Sequence, residues 1–196
     1  IKPDWALMTY LHGAGRAETR GAHNWADAQT ATLYRKNVGI VGYGLIGREI
    51  HRRLQGFDVC VHYYHRTRYP ERIETSLGLR FRPLDELFAT CDAVFVQLPL
   101  TSTTRGLVSR IVLQQANPQL VIINCGRAAV IDEDALYENL RDRRIAGYAA
   151  DVFWREPMSF FDRFRRLSNC LITPHMAESL PGRKHDLLER ALTRIF

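Results

Sequence analysis

Three glycines with the spacing G-x-G-x-x-G follow a short apolar run, at Gly42, Gly44 and Gly47. A tight turn from a strand into a helix requires the first glycine, and close approach of the backbone to a phosphate requires the second. The third favours close packing of the helix on the strand. Backbone N–H groups at the start of the helix, at Leu45 and Ile46, would then face a pyrophosphate. The motif predicts a dinucleotide-binding turn, with a glycine-rich turn that binds nothing as the alternative.

The position that reads the adenosine ribose lies further along the chain. In NAD-binding proteins a carboxylate stands about 20 residues after the turn and binds the ribose hydroxyls. Here His65 occupies that position, and Arg66 and Thr67 follow. Arg66 can pair with a 2′-phosphate and Thr67 can donate a hydrogen bond to it, whereas a carboxylate would repel it. The sequence therefore predicts NADP(H) in preference to NAD(H). Arg68 is a second candidate for this contact, and an exposed basic loop is the alternative.

The elements that must position these residues alternate along the chain. Short apolar runs predict six strands, which are Val38 to Val41, Val59 to Tyr63, Ala93 to Leu98, Leu120 to Asn124, Ile145 to Asp151 and Leu171 to Thr173. Helical patterns fall between them, as at 45–55 and in the segment that begins at Asp132. Apolar strands alternating with amphipathic helices predict a parallel sheet covered on both faces, that is, a doubly wound, Rossmann-like α/β domain.

Length and composition limit the organisation of the chain. With 196 residues and 46% hydrophobic composition, it can bury one ordinary core. We interpret residues 1–32 as an N-terminal helix with a connector and residues 33–196 as the dinucleotide-binding domain. The chain begins on Ile1 and directly on a helical pattern, which suggests a fragment. It contains no apolar run of about eighteen residues and no signal-like leader, which favours a cytoplasmic protein without a membrane partner.

Cysteine and arginine usage narrows the class of partner. The four cysteines form no C-x-x-C pair, so we expect four buried thiols, no metal site and no disulfide framework; they are Cys60, Cys91, Cys125 and Cys170. The net charge is +6, and arginines cluster at 66–72, 141–144 and 163–166. We interpret the last two clusters as solvated helix faces, because they include Asp residues and lie in helix-like segments. No nucleic-acid partner is expected, because no recognition motif accompanies the arginines.

Three later segments complete a pattern with the glycine turn. They are CDAVFVQLPLTSTTRGLV at 91–108, LVIINCGRAAVIDEDALYENLRDRRIAGYAADVFWREP at 120–157 and NCLITPHMAES at 169–179. In order and spacing these segments resemble the D-2-hydroxyacid dehydrogenases, across essentially the whole chain. The resemblance implies hydride transfer between NAD(P)H and a small 2-oxo acid of the glyoxylate or hydroxypyruvate type. It also implies a homodimer.

The resemblance assigns three catalytic residues. Arg127 would clamp the carboxylate and carbonyl of a 2-oxo acid with its planar guanidinium, the alternative being an arginine that caps the strand end. His175 would protonate the substrate oxygen during hydride transfer, and Glu156 would accept a hydrogen bond from its other ring nitrogen. Formate dehydrogenases are expected to carry Gln at the position of Glu156, so the acid favours the hydroxyacid reductases.

Further cofactor contacts follow from the same resemblance. Asp151 would point at the nicotinamide carboxamide, or would instead cap the segment that follows it. Backbone groups would line the path of the adenosine and the nicotinamide at Leu98, Pro99, Cys125 and Gly126, and Arg127 and His175 also belong to the cofactor contacts. Cys125 is not expected to act as a nucleophile, because hydride transfer needs no covalent step.

The resemblance also indicates what this chain lacks or changes. The family builds its substrate domain mainly from residues before the N-terminal helix, so we expect that domain to be largely missing. The chain alone should then bind cofactor but turn over little. Ala128 replaces a glycine usual in the family, and the stretch 158–167 is unusually aromatic and basic. Since fold does not imply function, a non-catalytic NAD(P)(H)-sensing or corepressor-like module is the alternative.

Overall fold

The computed structural model describes residues 32–177. These residues form the strands β1 (Asn37–Val41), β2 (Cys60–Tyr64), β3 (Leu79–Phe81), β4 (Ala93–Val96), β5 (Val121–Asn124), β6 (Gly147–Ala150) and β7 (Cys170–Ile172). They also form the helices α1 (Leu45–Leu54), α2 (Glu71–Leu77), α3 (Leu84–Thr90), α4 (Arg110–Gln114) and α5 (Glu133–Arg141). The helix predicted near the N-terminus lies outside the described residues, and so does the segment 178–194, whose sequence also has a helical pattern.

The strands form one parallel sheet with the order β3-β2-β1-β4-β5-β6-β7. The chain moves outward from β1 to β3, returns to place β4 beside β1, and then moves outward to β7. Such a reversal leaves a crevice outside the carboxyl ends of the two central strands, where ligands bind in open α/β sheets. The predicted doubly wound parallel sheet is confirmed.

The side chains of β1 explain why both faces of the sheet are covered. Val38 and Ile40 pack with Leu54 of α1 in one apolar cluster. Val41 points to the other face and belongs to a second cluster with Leu87 of α3. A central parallel strand buries both of its faces and is therefore apolar throughout, which is the pattern that the sequence carries.

Helix α5 begins where its sequence predicts. The side chain of Asp132 caps the helix by accepting a hydrogen bond from the N–H of Ala135. Glu133 and Asp134 stand in the first turn and Arg141 in the last, an arrangement that complements the helix dipole.

Several predicted boundaries differ from the structure. Strand β3 was not predicted, since it has only three residues and Arg80 at its centre is exposed. Strand β4 ends at Val96 rather than at Leu98, and β6 begins at Gly147 rather than at Ile145. The apolar runs there continue beyond the paired part of each strand, because flanking residues also face the core.

The cysteines are less uniform than predicted. Cys91 is buried, but Cys60 and Cys170 are half-buried and Cys125 is exposed. The prediction of four buried thiols is therefore confirmed only for Cys91, and it is most clearly wrong for Cys125, which follows the last residue of β5 at the open edge of the sheet. Within residues 32–177 no cluster of side chains suits a metal ion. In the same range, no helix has the length and apolar character needed to cross a bilayer.

Candidate active site

The candidate residues lie directly beyond the last paired row of the sheet. That row is formed by Tyr64, Val41, Val96, Asn124, Ala150 and Ile172, which are aligned across six neighbouring strands. The strands therefore end at a common edge. The residues that follow them share that edge, and they include Gly42, His65, Cys125, Asp151 and Thr173.

The glycine turn has the geometry that its sequence predicts. Gly42 has a φ of +96°, and a Cβ there would lie 2.5 Å from the carbonyl oxygen of Gln97. A Cβ at Gly47 would lie 2.6 Å from the carbonyl oxygen of Gly42, so the helix packs too closely for a side chain. A Cβ at Gly44 would have nothing within 4 Å. The turn is thus closed on the protein side and open on the side where a phosphate would approach.

The start of α1 fits a pyrophosphate. Leu45 and Ile46 are its first residues, and both side chains are exposed. No side chain caps the helix, and its first turn carries no acidic residue. Backbone N–H groups at such a helix start bind anions, so the residues present fit the phosphates of a dinucleotide.

The two arginines of the loop after β2, Arg66 and Arg68, have different surroundings. Arg66 and Thr67 are exposed, and the half-buried ring of His65 stacks on the ring of Tyr69. Arg68 instead donates two hydrogen bonds to the buried carboxylate of Glu74, at 2.9 and 2.8 Å. This pairing speaks against Arg68 as a second phosphate contact and leaves Arg66 as the candidate.

His175 and Glu156 form the predicted pair. Nδ1 of His175 lies 2.7 Å from Oε2 of Glu156, and the other carboxylate oxygen accepts the N–H of Phe153 at 2.9 Å. Burial acts to raise the pKa of Glu156, but these hydrogen bonds and the nearby charge of Arg127 together lower it. The carboxylate is therefore held in its ionised form, close to both catalytic candidates.

Arg127 stands on a turn that Asn124 organises. The side-chain oxygen of Asn124 accepts the N–H of Gly126 at 3.0 Å, and its amide nitrogen donates to the carbonyl of Arg127 at 3.3 Å. The guanidinium is exposed and uses Nη1 to bind the carbonyl of Gly126 at 2.7 Å. This contact resembles the strand-end cap considered above, but it involves only one of the five N–H donors of the guanidinium.

Asp151 accepts hydrogen bonds from the loop that carries His175. His175 has a φ of +51°, and Asp151 is buried at 4% exposure. The carboxylate of Asp151 accepts hydrogen bonds from the hydroxyl of Thr173 and from the N–H groups of Met176 and Ala177, at 2.5, 3.0 and 2.8 Å. The sequence predicted a nicotinamide contact for Asp151. It missed this loop contact, because only the tertiary structure brings 151 and 177 together.

Comparison with known proteins identifies the family of this chain. Residues 6–177 match the family model described as D-isomer specific 2-hydroxyacid dehydrogenase, NAD binding domain. The chain belongs to this family. The predicted resemblance is therefore confirmed, and the described sheet corresponds to the NAD binding domain of this family.

Individual relatives support the same family. The chain is 37% identical to a glyoxylate reductase of Thermococcus onnurineus over 157 residues, which are 80% of this chain and 46% of that protein. It is 34% identical to glyoxylate/hydroxypyruvate reductase B of Pectobacterium carotovorum, over 98% of this chain and 63% of that protein. The structure of a Granulicella formate dehydrogenase matches with a TM-score of 0.78 at 29% identity, covering 97% of this chain and 55% of that one. The chain thus spans about half the length of these dehydrogenases.

Trp154 holds the loop that carries Glu156. The indole N–H of Trp154 donates to the carbonyl of Ile131 at 3.1 Å, and its ring stacks on Phe164 with the centroids 5.2 Å apart. Ile131 closes the short turn that follows Arg127. The contact therefore joins the turn after Arg127 to the loop of Glu156, and no pattern in the sequence indicates it.

The remaining predicted contacts lie where two loops meet. A Cβ at Gly126 would approach the backbone of Leu98 to 3.0 Å, while Pro99 is exposed.

Partial burial and the charge of Asp151 raise the pKa of the Cys125 thiol. A nucleophilic cysteine requires the opposite shift, which agrees with the expectation that Cys125 plays no covalent part.

Proposed function

We propose that this chain is the cofactor-binding part of an oxidoreductase that transfers a hydride between NADPH and a small 2-oxo acid. The observation that carries the proposal is the 2.7 Å hydrogen bond between His175 and Glu156 at the sheet edge that also bears Arg127. Glyoxylate or hydroxypyruvate is the proposed substrate type, supported by relatives named as reductases of these acids. The acid at 156 also supports a hydroxyacid substrate over formate.

Arg127 would hold the substrate. A guanidinium offers parallel N–H donors that match a carboxylate, and its charge does not depend on pH near neutrality. The four donors of Arg127 not used by Gly126 suit the carboxylate and the adjacent carbonyl of a 2-oxo acid. A nicotinamide bound beyond the glycine turn would supply the hydride.

His175 would supply the proton. Because Nδ1 faces Glu156, Nε2 is the ring nitrogen left for the substrate oxygen. The ionised carboxylate stabilises the imidazolium, which can donate its proton as negative charge develops on that oxygen. In the reverse direction the neutral ring accepts the proton from the hydroxyl group. The hydrogen bonds from the N–H groups of Met176 and Ala177 to Asp151 would help to hold the loop of His175 in place for this transfer.

We propose NADP(H) as the preferred cofactor, with Arg66 as the residue that binds the 2′-phosphate. Its support is chemical: Arg66 is exposed beside His65, and no carboxylate stands at the ribose position. Thr67 would add a hydrogen bond. The nearby carboxylate of Glu74 is buried and already accepts hydrogen bonds from Arg68.

The sensor alternative receives no specific support within residues 32–177. Binding of a dinucleotide alone does not require a carboxylate-bound imidazole at an edge that also bears Arg127. A homodimer and a cytoplasmic location remain predictions. A sedimentation coefficient that does not change with protein concentration, at the value of a monomer, would contradict the dimer.

Turnover assays test the proposed function. The full-length polypeptide, including a substrate domain, is mixed with NADPH or NADH and with glyoxylate, hydroxypyruvate, pyruvate or formate, and loss of nicotinamide absorbance is followed. We expect turnover with at least one 2-oxo acid, a higher kcat/KM with NADPH, and little turnover by the 196-residue chain alone. Absence of turnover with every acid would favour the sensor, and equal use of NADH would contradict the role of Arg66.

A further inference from the structure

Tyr69 lies in the loop between β2 and α2 (residues 65–70), here called the ribose loop. It connects this loop to the phosphate turn (residues 42–47). Both lie at the sheet edge proposed to bind the cofactor, here called the cofactor edge. The hydroxyl of Tyr69 donates a hydrogen bond of 3.1 Å to the carbonyl oxygen of Tyr43, which stands between Gly42 and Gly44 in the phosphate turn. Its ring stacks on His65, the first residue of the ribose loop, with the centroids 5.6 Å apart. One side chain thus contacts the backbone of one loop and a side chain of the other.

The backbone of Tyr69 is itself held in place. Its N–H donates to the hydroxyl of Tyr63 at 2.7 Å, and that hydroxyl donates to Glu74 at 2.8 Å. Burial raises the pKa of Tyr63 to about 12, so the hydroxyl keeps the proton that it donates. Glu74 is 6% exposed and also binds Arg68. The ribose loop is therefore bound to β2 and α2 on the side away from solvent.

The other end of the connection is equally constrained. The Tyr43 ring is buried beside Tyr63, and its hydroxyl lies 2.7 Å from Nδ1 of buried His51 in α1. The peptide of Tyr43 therefore has little freedom to shift unless Tyr69 shifts with it. Arg48 of α1 adds a long contact of 3.5 Å to the Tyr69 hydroxyl.

We propose that Tyr69 is a positioning residue for cofactor choice. Its hydroxyl sets the distance between the turn that would bind the pyrophosphate and Arg66, which would bind the 2′-phosphate. A ligand that engages both places at once gains from this fixed distance, since less ordering is required on binding. The inference rests on the proposed cofactor site and adds a determinant that does not touch the cofactor.

The substitution Tyr69→Phe tests it, because it removes only the hydroxyl. Calorimetric titration of the chain with NADP⁺ and with NAD⁺ gives the ratio of the two dissociation constants. We expect the preference for NADP⁺ to fall about 3- to 10-fold, the factor that one hydrogen bond of ordinary net strength represents. In an Arg66→Gln background, where the 2′-phosphate has lost its contact, the same change should cost less than about 2-fold.

Tyr34→Phe is the matched control, since Tyr34 is half exposed and lies on the approach to β1. It should leave the ratio unchanged. A purely structural role for Tyr69 would lower the thermal midpoint without altering the ratio, or would cost the same in both backgrounds, and either result overturns the inference. If the unaltered chain binds NADP⁺ no better than NAD⁺, the proposed cofactor choice fails with it. A retained preference in Tyr69→Phe refutes the role of Tyr69 alone.

Discussion

Two glutamates near the cofactor edge each bind an ionisable partner, but in different surroundings. The Glu156 and His175 side chains are 37% and 41% exposed, and their pair stands at the open edge. Glu74 is buried with a side-chain exposure of 7%, and it binds Arg68 and Tyr63 together. Both carboxylates have a lowered pKa, which hydrogen bonds from these partners bring about against the effect of burial.

The difference shows how similar chemistry serves two purposes. The partner of Glu74 is a guanidinium that never loses its proton near neutrality, so the pair can only hold the loop in place. The partner of Glu156 is an imidazole, a group that can both donate and accept a proton. Exposure then gives that proton access to a ligand. A carboxylate pair at a sheet edge is therefore a candidate for catalysis when its partner can transfer a proton and remains accessible.

Removal of the imidazole should have the largest effect. In the full-length polypeptide, His175→Ala should lower kcat about 100- to 10,000-fold, the range for loss of a general acid. Binding of NADPH, followed by fluorescence titration, should change much less than kcat, because the glycine turn is intact and His175 is only one of the expected cofactor contacts. A kcat within threefold of the unaltered protein would contradict the assignment.

The substitution Glu156→Gln should have a smaller effect. The amide cannot stabilise the imidazolium as an ionised carboxylate does, so we expect kcat to fall about 100-fold, at the lower end of the acid–base range. Glu86→Gln on α3 is the control, since Glu86 is exposed and lies outside the edge residues. Stopped-flow rates for both variants decide the matter, and equal rates for Glu156→Gln and the control would refute the pairing.

In the ribose loop, which the pair of Glu74 and Arg68 holds in place, Arg66→Gln should weaken NADP⁺ binding about tenfold and leave NAD⁺ binding unchanged. The factor corresponds to one charge-assisted hydrogen bond at an exposed position. Arg72→Gln, an exposed arginine of the same cluster, should affect neither ligand. Calorimetry with both dinucleotides measures the four values. An equal loss for NADP⁺ and NAD⁺ would assign Arg66 to the shared part of the cofactor.

The smallest effect concerns stability and pH. Because the folded pKa of Glu74 lies below its ordinary value of 4.5, its stabilising contribution is present above 4.5 and is lost as pH falls through the folded pKa. Glu74→Gln lacks this contribution. The difference in free energy of unfolding between the two proteins should therefore narrow as urea unfolding is repeated from neutral pH to below 4.5. A difference that stays constant would contradict the ionised pair.

The sequence carries enough signal for the sheet and for the glycine turn. Apolar runs identify six of the seven strands in the described range, and the spacing of Gly42, Gly44 and Gly47 agrees with the φ value and close contacts found there. Both signals are local. The roles of Arg127, Glu156 and His175 were predicted instead from the family resemblance. These residues follow three different strands, and only the fold brings the ends of those strands to one edge.

The interactions that hold the loops were not predictable from the sequence. Tyr69 and Tyr43 are 26 residues apart, and so are Ala177 and Asp151. No local pattern records such pairs, since tyrosine and aspartate at these positions also suit an exposed loop. Arg68 illustrates the same limit: composition placed it with Arg66, and only the fold brings it to Glu74.

The most direct test of the proposed site is a crystal structure of the full-length protein with NADP⁺ and oxamate, an unreactive analogue of a 2-oxo acid. We predict that the Arg127 guanidinium binds the carboxylate of oxamate and that Nε2 of His175 faces its carbonyl oxygen. The nicotinamide ring should lie against the same carbonyl carbon. Oxamate bound elsewhere, with Arg127 still on Gly126 and Nε2 of His175 facing no ligand, would contradict the account.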